Sequence, residues 1–160
     1  MRLTARIVTL RLADTFTIAR SSQDVAEVVE VEVRHGDVSG FGEAAPIDRY
    51  DQTAASALTW LETIELRDDP WALDEIEQSL PPGEQAARAA LDAALHDLQG
   101  KLAGLPVHKL LGLRRGGPPT SWTVWLGDPD DMARRAERAQ DRGFRRLKLT
   151  LGGRAGSDSA

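Results

Sequence analysis

Cysteine is absent from all 160 residues. Disulfides and thiolate metal sites are therefore excluded, a reducing compartment is permitted, and the cytoplasm is the default location. No run of about 18 apolar residues occurs, so no membrane-spanning helix is expected. The opening segment MRLTARIVTLRLADTF alternates apolar and charged residues, unlike the continuous apolar core of an export signal. Lysines and arginines are scattered through a chain of net charge −5. There is no basic patch of the kind that nucleic acid or an anionic membrane requires, and neither is expected as a partner. The histidines, His35, His96 and His108, share no ligand-like spacing with acidic residues, so no metal site is expected on this chain.

What is present is an ordinary globular mixture, 41% hydrophobic and 28% charged. That is enough to build one domain, or one domain and a piece of another. The first 45 residues read as an antiparallel meander, with strands over 2–12, 25–34 and 38–44 and a turn at HGD, 35–37. Between the first two strands, ADTFTIARSSQD reads as a polar loop too long for a tight hairpin. A second loop, PIDRYDQT, follows the third strand.

From about Thr53 the period becomes helical. TAASALTWLETIE forms one helix and PWALDEIEQSL a short second one, with Pro70 near its first turn. PPG at 81–83 breaks the chain before EQAARAALDAALHDLQGKLAG, the most strongly helical segment, whose Gly104 is placed to cap it. A short strand near 121–126 precedes DPDDMARRAERAQDRG, where Asp128, Asp130 and Asp131 suit the cap and dipole of a helix start. GFRRLKLTLGG then reads as a strand. Strand, helix and strand over about 30 residues form a βαβ unit and require a parallel sheet. Two parallel strands and one helix cannot cover both faces of such a sheet, which leaves an edge and apolar faces open to self-association. GGRAGSDSA, 152–160, has the composition of a flexible tail.

Within the last strand Lys148 and Thr150 are two residues apart and share one face, while Leu147, Leu149 and Leu151 share the other. The ordinary reading of each polar residue is a solvated lysine and a β-forming threonine. The segments GFGEAAP at 40–46, ALDAALHDLQGK with PVHKLLG, TSWTV at 120–124 and GFRRLKLTLGG change the balance. Together, and in this order, they resemble the N-terminal part of the enolase superfamily, in particular the muconate lactonizing enzyme and dipeptide epimerase subgroup.

The resemblance implies a fold: an α+β capping domain over residues 1–118, made of a three-stranded antiparallel meander followed by helices. The first β-α-β of a (β/α)7β barrel follows over 119–151. Most of the barrel lies outside the chain, which on this reading is a truncated member. The resemblance also implies a chemistry, removal of the proton α to a carboxylate with Mg2+ stabilising the enediolate, as in epimerisation of L-Ala-D/L-Glu dipeptides. Lys148 matches the first lysine of the family's K-x-K pair, and Thr150 stands where the second lysine acts as base.

Since a threonine hydroxyl has no accessible pKa near neutrality, this chain alone is expected to be inactive. Mg2+ is expected in full-length members, held by acidic residues of later strands, and not on this chain. Arg20 and Ser21 in the first loop, and Asp48, Arg49 and Tyr50 in the second, match regions that close over the barrel mouth and choose the substrate, a dipeptide or another small carboxylate. An arginine there suits an acidic side chain. Two readings of another kind stand beside this one. The first is a non-catalytic cap or pseudoenzyme fragment that associates with another chain. The second is a different activity of the subgroup: o-succinylbenzoate synthase, N-acylamino acid racemase or muconate cycloisomerase.

Overall fold

A computed structural model describes residues 1–19 and 21–152. Strands β1 (Arg2–Ile18), β2 (Ser21–His35) and β3 (Val38–Ala44) form an antiparallel sheet in that order. The β2–β3 register runs from Val29 opposite Ala44 to His35 opposite Val38. Gly36, at φ 58°, makes the turn between them in a left-handed conformation that a side chain disfavours. Alternation decides the buried face, since Val29, Val31 and Val33 are fully enclosed while the residues between them are not.

Four helices follow. α1 (Ala54–Glu62) opens with a capping box between Thr53 and Ser56, and α2 (Leu73–Ser79) and α3 (Gln85–Ala103) come next. α3 ends at Gly104, which is left-handed at φ 65° as the sequence requires, and α4 (Val107–Leu110) is a single turn. Ala87, Ala90, Leu91, Ala94, Leu95 and Leu98 form the buried stripe of α3 and join the valines of β2 in one core. The helix lies directly on β3, where a Cβ at Gly42 would stand 2.0 Å from the Ala90 carbonyl and one at Gly40 2.1 Å from that of Ala94. The glycines of GFGEAAP are thus required by close packing. Beside them the Phe41 amide donates to Asp97 at 2.9 Å, and Lys101 Nζ donates to the Ser39 carbonyl at 2.8 Å. Gln99, buried among apolar residues, donates to the Pro70 carbonyl at 2.7 Å.

β4 (Ser121–Val124), α5 (Pro129–Asp141) and β5 (Arg146–Leu149) complete the order. Asp128 caps α5 by accepting from the Asp130 amide at 3.0 Å. The chain divides into two compact units, one of Met1–Leu10 with Glu27–Arg115 and one of Arg11–Ala26 with Gly116 onward. One expectation changes here: residues 13–24 are not a long loop, because β1 and β2 run on through them and only residues 19 and 20 separate the two strands. The extension is held by polar pairs, Thr15 with Asp24 at 2.5 Å and Thr17 with Ser22 at 3.0 Å. Among the described residues, no helix is long and apolar enough to cross a membrane.

Candidate functional site

β4 and β5 pair in parallel, with Ser121 opposite Arg146, Trp122 opposite Leu147, Thr123 opposite Lys148 and Val124 opposite Leu149. The Thr150 amide extends the ladder by donating to the Val124 carbonyl at 3.0 Å. Residues opposite each other in such a ladder share a face, about 4.8 Å apart. Thr123, Lys148 and Thr150 therefore form one polar face. Thr123 was not singled out from the sequence, because the register that sets it beside Lys148 exists only between strands.

The other face carries Trp122, Val124, Leu147 and Leu149. Val124 and Ala139 of α5 are fully buried, and Trp122 meets the Phe144 ring at 4.8 Å between centroids, with the Arg142 guanidinium 4.8 Å from the indole. That cover stops at β4, and Leu147, Leu149 and Leu151 remain 45%, 55% and 76% exposed. The alternation of the strand, and the open apolar face of its leucines, are as the sequence predicts.

The tip of the β1–β2 hairpin lies at the carboxyl ends of the two parallel strands, the end at which barrel enzymes build their sites. The Leu126 amide donates to the Thr17 carbonyl at 2.9 Å. Phe16 packs on Trp125 at 6.1 Å between centroids, and the Arg135 guanidinium lies 4.5 Å from the centroid of the same indole. Just beyond β5, a Cβ on Gly152 would meet the Ala19 side chain at 2.9 Å. Ser21, exposed at the start of β2, belongs to this same hairpin. Arg20 lies outside the described residues. Asp48 and Tyr50 lie in the first unit, exposed on the 3-10 turn Asp48–Tyr50 with Arg49 between them, whose guanidinium is 6.0 Å from the Tyr50 ring.

Magnesium takes oxygen ligands, chiefly carboxylates. The face around Lys148 offers threonine hydroxyls, and among the described residues no group of three or more His, Cys, Asp or Glu side chains is placed to hold a metal ion. This donor set does not fit the Mg2+ that the resemblance implies for full-length members.

Residues 2–112 match the family described as mandelate racemase / muconate lactonizing enzyme, N-terminal domain. The chain is 36% identical over 159 residues to an L-Ala-D/L-Glu epimerase of Bacteroides thetaiotaomicron, covering 95% of this chain and 41% of that protein. Among solved structures it is similar to a dipeptide epimerase from Methylococcus capsulatus complexed with Mg and the dipeptide L-Arg-D-Lys. The TM-score is 0.87 at 29% identity, covering 96% of this chain and 46% of the other. It is also similar to a muconate lactonizing enzyme from Pseudomonas fluorescens complexed with muconolactone, with a TM-score of 0.85 at 28% identity over 94% of this chain and 44% of that one. The chain thus spans less than half the length of these relatives.

Proposed function

Since the chain belongs to the mandelate racemase / muconate lactonizing enzyme family, we propose that it carries the cap and the first site-bearing strands of a dipeptide epimerase, and that on its own it binds a carboxylate without moving the α-proton. Lys148 pairs with the substrate carboxylate, and Thr123 beside it donates a hydrogen bond. Ser21 at the start of β2, with Arg20 next to it in the sequence, reads the substrate side chain. Two boundaries belong to this reading: a cap over 1–118 and barrel elements over 119–151; of the expected tail over 152–160, residues 153–160 lie outside the described residues. A cytoplasmic location belongs to it too.

The observation that carries the proposal is Lys148 in β5 and Thr150 just after it, on one face of the ladder, an amine beside a hydroxyl. A general base contributes about 100- to 10,000-fold to proton abstraction, and a hydroxyl that stays protonated at pH 7 supplies none of it. The test is exchange of the α-proton of L-Ala-L-Glu in D2O, followed by NMR with Mg2+ added. No exchange above the enzyme-free blank is expected. Exchange at an enzymatic rate would overturn the assignment of Thr150.

A second reading, a non-catalytic module that associates with another chain, rests on the exposed Leu147, Leu149 and Leu151. Solution size separates it from the first, since a monomer at all concentrations contradicts association. The similarity to a muconate lactonizing enzyme keeps a muconate-type substrate as an alternative.

A further inference from the structure

Among the described residues β5 pairs with β4 alone, so its second edge carries no strand. The Thr150 amide points at β4, donating to the Val124 carbonyl, and Lys148 stands opposite Thr123 in the same ladder. Backbone groups alternate along a strand as side chains do. The N–H and C=O groups of Leu147 and Leu149, and of Leu151 beyond them, therefore face the open edge. These are the same three residues whose apolar side chains are exposed. An edge of this kind is a template for a further strand.

A second copy of the chain fits this edge when the two β5 strands run antiparallel about a twofold axis through Leu149. Leu149 then lies opposite its counterpart, Leu147 opposite Leu151 and Leu151 opposite Leu147. Each of these pairs exchanges both backbone bonds, and the leucines of the two copies make one continuous apolar face. Charge selects the register. With the axis at Leu149, Lys148 faces Thr150 and Arg146 faces Gly152. An axis at Lys148 sets that lysine against its own counterpart, and an axis at Leu147 sets Arg146 against Lys148. Like charges directly opposite each other are destabilising. An axis at Thr150 leaves Leu147 with no leucine to meet.

We propose that β5 pairs with β5 of a second copy in this register, joining two two-stranded sheets into one of four strands. The proposal rests on the reading that the exposed leucines mark association, and it names the partner. It also adds to the Lys148 face, because each lysine then lies between Thr123 of its own chain and Thr150 of the other. Three leucines a side bury far less than the roughly 1,600 Å2 of a standard interface, so the pairing is weak and depends on concentration.

Sedimentation of the 160-residue chain is expected to show a monomer–dimer equilibrium with a dissociation constant on the order of 100 μM. The register is read by disulfide cross-linking under mild oxidation, since a chain without cysteine gives one thiol per substitution. In the proposed pairing the Cα atoms of the two residues 149 lie about 5.5 Å apart, within disulfide reach. The two residues 147 are four positions out of register, about 14 Å along the strands, and so are the two residues 151. Leu149→Cys is therefore expected to cross-link, while Leu147→Cys and Leu151→Cys alone are not. An equal mixture of Leu147→Cys and Leu151→Cys chains is expected to cross-link as well, which keeps the register testable if Leu149→Cys does not fold. A monomer up to about 1 mM overturns the pairing and the association reading together. A dimer in which all three single variants cross-link equally, or in which neither a folded Leu149→Cys chain nor the mixture does, overturns the pairing and leaves association standing.

Discussion

The unit built from Met1–Leu10 and Glu27–Arg115 and the unit built from Arg11–Ala26 and Gly116 onward use the same ingredients, strands with helices on one face, to different ends. In the first, α3 is pressed onto β3 until two glycines are needed, and fifteen buried residues share one core. In the second, Val124 and Ala139 are the fully buried apolar residues among those described, and the leucines of β5 face outward. Stability is thus concentrated in the unit that carries none of the Lys148 face, while the polar residues of that face sit on strands with little burial of their own. Functional side chains on sparsely packed elements depend on what covers them.

The largest expected effect breaks the packing of the first unit. Gly42→Ala places a methyl group 2.0 Å from a helix carbonyl, and backbone cannot step aside as a side chain can. A loss of at least about 3 kcal/mol in chemical denaturation is expected, at the upper end of what overpacking costs. A loss below about 0.5 kcal/mol would mean that α3 does not rest on β3 as described.

A matched pair of truncations sharpens the contrast. Leu98→Ala removes a side chain with no exposed surface and is expected to cost about 3 kcal/mol. Leu149→Ala removes the same atoms from a site 55% exposed and is expected to cost less than about 0.5 kcal/mol. Equal costs would show that something covers β5 in solution, which is what association through that face predicts.

Much of this contrast is legible in the sequence. Alternating valines give β2, the alanine–leucine stripe and Gly104 give α3, and a proline and aspartates open α5, because burial and caps are written in local pattern. The two-residue spacing of Lys148 and Thr150 likewise gives their common face. The outer part of the β1–β2 hairpin is not legible, since Thr15, Thr17, Ser22 and Asp24 stabilise it by polar pairs that look like a loop. Thr123 escapes notice because strand register is a property of two segments. Neither is encoded in periodicity.

A smaller effect probes the aromatic face of the second unit. Arg142 lies over both Trp122, at 4.8 Å, and Phe144, at 5.8 Å. Arg142→Ala is expected to cost about 0.5–1 kcal/mol, and Arg142→Lys to recover part of it. No cost from either change would mean that the two rings hold each other without the cation.

The smallest expected effect is a pH dependence in the first unit. The Asp68 carboxyl accepts from the Met1 amino group at 2.8 Å and faces His35 Nδ1 at 3.2 Å. The amino group first, and His35 after it, holds that carboxyl below its ordinary value. A group whose folded-state pKa is depressed adds stability above its unfolded value and loses it as the pH falls through the folded one, here below about pH 4. The site is open to solvent, so the contribution is strongly screened and salt should reduce it further. Comparing Asp68→Asn with the parent chain by thermal melts at pH 7 and pH 3 should therefore give a small difference at pH 7 that shrinks at pH 3. A difference that grows on acidification would contradict the sign of the shift and, with it, the link between the β2–β3 turn and the residues before α2.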